Sequence, residues 1–504
     1  MLPPERRIPE VRTLIDRGLY FVVHAPRQSG KTTCFRTLAE ALTASGRYTA
    51  LLTSCETGQK LEPDLDASMA AVLHTLHLRA EAHLPAELRP PAPDAALPPE
   101  ARLQDLLVRW ARQSPRPVVL FLDEIDALWG DALISVLRQL RSSYDDRPSG
   151  FPHCVALIGL RDVRDYRIHL RPDSQSLGTS SPFNVKVESV RLANFTAAEV
   201  TELYEQHTAE TGQVLTPEAA DLAWELTRGQ PWLVNALARQ AVEKVAPDVA
   251  TPVTPAVIEA AKEILIQRRD THLDSLIDRL REPRVRRIIE PILAGELLSP
   301  ESLDDDVQLV LDLGLAAAGP RGLEIANPIY REVIPRALTW VMEQSMVFSR
   351  AAYVSPEGRL RFDLLLTDFR AFWCENAEAF LARAPYAEAA AQLVFMAFLH
   401  KVVNGGGFID RELAVGSGRI DLCVRWPSPG GTERWAVELK VWRDDRPDPL
   451  SAGLAQLSGY LKRLGLDHGT LILFDARKAA PPLPDRCSLE DRDHEGRQIT
   501  VLRL

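Results

Sequence analysis

The feature that most constrains this chain is residues 20–33, Tyr-Phe-Val-Val-His-Ala-Pro-Arg-Gln-Ser-Gly-Lys-Thr-Thr. Its short apolar start reads as a buried strand, and residues 34–42 behind it have the spacing of an amphipathic helix. The loop between them ends in Gly30-Lys31-Thr32, the pattern of a phosphate-binding loop. Such a loop wraps backbone N–H groups around an anion and aims the positive end of a helix at it. Residues Ala25, Pro26, Arg27, Gln28, Ser29, Gly30, Lys31, Thr32 and Thr33 are therefore the expected nucleotide-binding segment. Lys31 would reach the β- and γ-phosphates and the Thr32 hydroxyl would ligate Mg²⁺. Ala25 stands where the pattern usually has its first glycine, a mild departure.

A second strand of the same sheet is expected at 48–56 and a helix at 64–82, followed by a Pro- and Ala-rich surface excursion at 84–99. The helix at 102–113 delivers the chain to Pro-Val-Val-Leu-Phe-Leu-Asp123-Glu124-Ile-Asp. A continuous apolar run ending in paired carboxylates predicts a Walker B strand, because parallel strands are buried on both faces and bind ligands at their C-terminal ends. Asp123 would hold the Mg²⁺, and Glu124 would polarise the attacking water. After a helix at 132–143, residues 153–160 read as another buried strand, ending in Arg161.

With these four strands in place the chain resembles the AAA+ and STAND group of P-loop ATPases. The resemblance implies ATP and Mg²⁺ as cofactors, and a sensor residue beside Walker B that places Arg161 on the γ-phosphate. The alternative for Arg161 is a local salt bridge to Asp162 or Asp165. Thr196 and Glu199 form a capping box opening a run of helices at 197–211, 217–227 and 231–245. The Gly229-Gln230-Pro231 turn among them resembles the Gly-x-Pro element of helical lid subdomains, which implies that Pro231 approaches the nucleotide base. Three helices and a β-turn-β segment at 314–328 then suggest a winged helix. The basic run Arg279, Arg281, Arg284, Arg286 and Arg287 is either a phosphate-contacting patch or a solvated helix face near Asp304–Asp306. The phrase Asn327-Pro-Ile-Tyr330 resembles one from a bacterial AAA-like ATPase family.

A second candidate site lies in the last third of the chain. A helix at 386–403, carrying Glu388, is stopped by Gly405-Gly406-Gly407, since glycines lose too much backbone entropy to extend it. Strands follow at 408–415, 418–426 and 434–442, then a helix at 449–464 bearing Gln456 and Tyr460, and a strand at 469–475. Side chains two apart on a strand share a face, so Glu438 and Lys440 project together, and a hairpin can bring Asp421 beside Glu438. Two carboxylates with the carbonyl of Leu439 would make an oxygen-rich Mg²⁺ site, and Lys440 could position a hydrolytic water. This layout resembles the PD-(D/E)XK nuclease fold from about residue 386 to 475. The resemblance implies Glu388 as an outer metal ligand and Gln456 as a companion of the active site.

The expected fold class is α/β: a P-loop parallel-sheet ATPase core (1–194), a helical lid (195–254), a winged-helix-like domain (255–340), a helical connector (341–385) and a PD-(D/E)XK-like α/β domain (386–504). Length agrees, since 504 residues suggest about three domains. A net charge of −10 argues against a uniformly basic nucleic-acid coat, although phosphate contacts need only local Lys and Arg. The six cysteines include no Cys-x-x-Cys pair, so neither a zinc site nor a disulfide framework is expected. No apolar run is long enough to span a bilayer and no leader is evident, so the expectation is a cytoplasmic protein. The expected function is an ATP-hydrolysing switch coupled to a Mg²⁺-dependent nuclease, with DNA as partner and homo-oligomerisation. The alternative is a nucleotide-regulated DNA- or protein-binding signalling protein whose nuclease-like domain is not catalytic.

Overall fold

The computed structural model describes residues 2–58, 64–160, 186–268, 278–293, 297–302, 304–320, 322–334, 350–381, 391, 394–399, 403, 406–415, 418–444, 446–477 and 479–504. Arg161 and Glu388 lie outside the described residues. The chain divides into two compact units, residues 1–264 with 312–314, and residues 265–311 with 315–504.

The first unit is built on a parallel five-stranded sheet. Its strands are β1 (Tyr20–His24), β2 (Thr49–Ser54), β3 (Val118–Asp123), β4 (Cys154–Gly159) and β5 (Lys186–Arg191), in the order β2-β3-β4-β1-β5. The strands β1, β3 and β4 are apolar along nearly their whole length because they are interior to the sheet and covered on both faces. One face packs against Phe35, Leu38 and Leu42 of α3 (Lys31–Ala44). The other packs against α4 (Leu65–His83), α5 (Pro99–Gln113) and α6 (Gly130–Ser142). Two short helices, α1 (Pro4–Arg7) and α2 (Pro9–Asp16), lead into β1. The 84–99 excursion is anchored in the core, with Leu88 buried and its carbonyl accepting from Trp110 Nε1 at 2.9 Å. The fifth strand of the sheet, β5, begins at Lys186 and closes the edge beside β1.

Three helices follow: α7 (Ala197–Thr211), α8 (Pro217–Thr227) and α9 (Pro231–Gln240). Thr196 and Glu199 form the expected reciprocal cap on α7. The helix expected to run to 245 ends earlier, passing into a π-turn at Ala241–Val245. Gly229 (φ +70°) lies against Phe195, where an added Cβ would sit 1.8 Å from the Phe195 carbonyl oxygen. That approach leaves no room for a side chain.

The boundary between the units falls within α10 (Pro255–Arg268); beyond it come α11 (Pro283–Leu293) and α12 (Asp305–Asp312), and β6 (Ala316–Gly319) pairs antiparallel with β7 (Gly322–Ile325). The basic run does not present free guanidinium groups. Arg284 pairs with Asp306 at 2.5 Å, Arg287 with Asp304 at 2.6 Å, Arg286 with Glu290 at 2.5 Å and Arg279 with Glu282 at 2.6 Å. Of the two expectations for this run, the geometry matches the face paired with the Asp304–Asp306 acids.

The remaining element is a six-stranded mixed sheet, ordered β12-β13-β11-β10-β9-β8. It comprises β8 (Phe408–Val415), β9 (Gly418–Ser428), β10 (Gly431–Trp442), β11 (His468–Asp475), β12 (Ser488–His494) and β13 (Arg497–Arg503). The last hairpin was not expected: β13 pairs parallel with β11 and extends the sheet past residue 475. On one face, α13 (Phe362–Leu381) packs through Phe369 and Trp373 in a core with Val437 and Leu439. On the other, α14 (Leu450–Leu464) packs through Leu454 and Leu457 in a core with Ala436. The period of two therefore places Glu438 and Lys440 on the α14 face.

Candidate functional sites

The phosphate-binding loop leaves β1 at His24 and enters α3 through Gly30, whose φ of +87° caps the helix in the left-handed region. Lys31 folds back over the loop, its amine donating to the carbonyl oxygens of Ala25 at 2.7 Å and Pro26 at 2.9 Å. Burial lowers the Lys31 pKa, an effect opposed by the charges of Asp126, Asp123 and Glu124. The Ser29 hydroxyl is buried without a hydrogen-bond partner among the described residues. Such an orphan costs roughly 1–3 kcal/mol unless something binds it, which fits a phosphate in the loop.

Strand pairing brings the carboxylates to this loop. Asp123, 3% exposed, accepts from Thr32 Oγ1 at 2.5 Å and from the Glu124 amide at 3.0 Å. Burial raises its pKa, while the Thr32 hydroxyl pulls the other way. Thr32 and Asp123, the residues expected to hold a divalent cation, thus lie together and form a hard oxygen donor pair suited to one. Glu124 (φ +54°) sits in a sparsely populated backbone region, and its carboxylate accepts from Ser54 Oγ at 2.6 Å. The sequence reading missed Ser54, although β2–β3 register sets it opposite Asp123. It also missed Asp126, which accepts from the Leu160 amide at 3.2 Å. Pro231 is buried at the start of α9, behind Gln230, whose side chain caps the Leu233 amide at 2.6 Å. Arg239, on the same helix, pairs with Glu243 at 3.0 Å.

In the second unit, β9 and β10 pair up to Leu422 opposite Val437, so the next position along the hairpin sets Asp421 near Glu438. The Asp421 carboxylate accepts from the Leu439 amide at 2.8 Å. Glu438 is 0% exposed, with Oε1 accepting from Lys440 Nζ at 2.7 Å and Oε2 buried without a partner among the described residues. Burial, reinforced by the negative charge of Asp421 and opposed by Lys440, pushes the Glu438 carboxyl up to about 7. A half-satisfied buried carboxylate is costly, and a cation beside Oε2 would relieve it. Gln456 Nε2 donates to the Tyr460 hydroxyl at 3.1 Å, one turn along α14. Among the described residues no three His, Cys, Asp or Glu side chains converge as a metal-holding group. Of the expected second-site residues, the structure therefore gathers Asp421, Glu438 and Lys440.

No helix among the described residues is long and apolar enough to cross a membrane. A protein-family model described as AAA ATPase domain matches residues 8–155, the segment that holds the phosphate-binding loop and the Asp123–Glu124 pair. No curated protein matches the sequence. Among solved structures, the chain is similar to a Walker-type ATPase of Pyrococcus abyssi (14% identity, TM-score 0.46, 66% of this chain and 96% of that one). It is also similar to the RuvB Holliday junction branch migration motor of Thermotoga maritima (18% identity, TM-score 0.35, 65% and 91%). A third is Cdc6p from Pyrobaculum aerophilum (12% identity, TM-score 0.34, 68% and 94%). The family match and the loop geometry together support ATPase function of the AAA+ type in residues 8–155.

Proposed function

We propose that this chain is an ATP-binding and ATP-hydrolysing switch coupled to a Mg²⁺-dependent nuclease of the PD-(D/E)XK kind, acting on DNA. The observation that carries the nuclease half is Glu438, a wholly buried carboxylate with Lys440 on one oxygen, no described residue on the other, and Asp421 beside it.

In the ATPase half, the loop amides and Ser29 would bind the phosphates, and Lys31 would exchange its two carbonyl partners for phosphate oxygens. Thr32 and Asp123 would hold the divalent cation, which when bound neutralises charge developing on the phosphates. Glu124, released from Ser54, would take up the proton of the attacking water. Arg161 and Pro231 remain proposed contacts to the γ-phosphate and the base.

In the nuclease half, Asp421 and Glu438 would hold Mg²⁺ together with the Leu439 carbonyl. Since the Leu439 amide faces Asp421, its carbonyl points to the same side of the strand. The bound cation supplies charge neutralisation at the scissile phosphate and a more acidic water. Lys440 would orient the water whose oxygen bonds to phosphorus as the P–O ester bond breaks, and Gln456 would support it from α14. The three helices and the β6–β7 hairpin are proposed as a winged helix for DNA, and the ATPase half as the homo-oligomerising part. Pairing of the basic run with Asp304 and Asp306 favours a second reading, a nucleotide-regulated signalling protein with a non-catalytic nuclease-like domain.

Supercoiled plasmid, Mg²⁺ and ATP distinguish the two. Nicking by the wild type that disappears in Glu438→Ala and Lys440→Ala is expected. Absence of wild-type nicking, or nicking undiminished in those variants, rejects the nuclease.

A further inference from the structure

Among the described residues the sheet of the first unit ends at β2, and a groove of about 280 Å³ runs along this strand from residue 50 to residue 54. Thr49 donates its amide to Pro117 O at 3.0 Å and Cys55 donates to Asp123 O at 2.9 Å, so odd-numbered residues of β2 face β3. In a parallel ladder the alternate residues then turn both N–H and C=O to the other side. Ala50, Leu52 and Ser54 thus present their backbone groups to the open edge. The Thr43 hydroxyl takes both groups of Ala50, accepting from its amide at 3.0 Å and donating to its carbonyl at 3.2 Å. Leu52 and Ser54 have no such backbone partner among the described residues. The Thr53 hydroxyl, 1% exposed, lines the same groove and is also without a partner.

The walls carry charge. On α3, Arg36, Glu40 and Thr43 form a stripe along one side, on α4 Arg79 and His83 line the other, and Thr32 and Asp123 close the end that meets the phosphate-binding loop. Neither Arg36 nor Arg79 has a carboxylate partner among the described residues, in a chain where the arginines of the 279–287 run are paired with acids. Open backbone groups between two arginine-bearing walls have the form of a strand-addition site.

We propose that the β2 edge binds an extended acidic segment of a partner protein as a sixth strand. Its backbone pairs with Leu52 and Ser54, and its carboxylates meet Arg36 and Arg79. About four residues of extended chain span this length.

The probe is a fluorescein-labelled Glu-Val-Glu-Val-Glu-Val hexapeptide titrated with the full chain and followed by anisotropy. Saturable binding is expected, weakened at least about tenfold by Arg36→Glu combined with Arg79→Glu. Methylating alternate peptide amides, which leaves the protein untouched, should weaken it comparably, and Lys31→Ala should leave it intact. Any of four results overturns the proposal: no saturable binding up to about 1 mM, binding indifferent to N-methylation, binding indifferent to the charge reversals, or binding lost in Lys31→Ala, which would place the peptide in the phosphate loop. A concentration-dependent dimer dispersed by the peptide would assign the edge to a second copy of this chain and likewise overturn it.

Discussion

The two candidate sites each combine a buried carboxylate with a lysine, and they treat the pair in opposite ways. In the phosphate-binding loop the charges are kept apart on neutral partners, Lys31 on two carbonyls and Asp123 on the Thr32 hydroxyl. In the sheet of the second unit, Glu438 and Lys440 meet directly at 2.7 Å. Lysine on backbone carbonyls can exchange them for an anion at little cost. A direct ion pair with one oxygen left over wants a further cation rather than an anion. The first arrangement suits a ligand bringing negative charge, and the second suits a metal.

The largest effect is expected where the lysine acts alone. Lys31→Ala should lower ATP turnover at least about 100-fold, measured by phosphate release; unchanged turnover would remove the contrast at its first term. Next is Glu438→Gln, which keeps shape but removes charge, and should reduce Mg²⁺-dependent plasmid nicking by about 10- to 100-fold.

A smaller effect concerns stability against pH in metal-free protein. The folded carboxyl of Glu438 titrates near 7, above the ordinary value, so the folded state holds its proton more tightly. Its contribution is most favourable below the unfolded pKa and is lost as pH rises toward 7. Thermal melts should therefore show Glu438→Gln gaining on the wild type between about pH 4.5 and 7.5, by about 3 kcal/mol. A constant difference would mean that Glu438 is ionised throughout. The smallest effect is Ser29→Ala. Removing an orphaned hydroxyl should leave apo stability equal or higher by up to about 1 kcal/mol, while weakening nucleotide affinity. Lower apo stability would show that the hydroxyl already has a partner.

What was legible in the sequence follows the same division. The phosphate-binding strand, loop and helix were readable because their chemistry is contiguous, and β3 announced itself by a wholly apolar run ending in Asp123. Ser54 was not readable, since its importance depends on register between strands about seventy residues apart in the chain. In the second unit, Val437, Glu438, Leu439 and Lys440 disclosed their faces through the period of two. The β12–β13 hairpin was missed because its strand Ser488–His494 is an exposed polar edge with no apolar alternation. The basic run was ambiguous because its acidic partners, Asp304 and Asp306, are folded beside it by a turn that local composition does not reveal.

The most direct measurement is anomalous scattering from Mn²⁺ in crystals of the full chain grown with a non-hydrolysable ATP analogue. Two manganese peaks are predicted, one beside Thr32 and Asp123, the other within about 2.2 Å of an oxygen of Glu438 and shared with Asp421. A peak at the phosphate-binding loop with none at Glu438 would contradict the account.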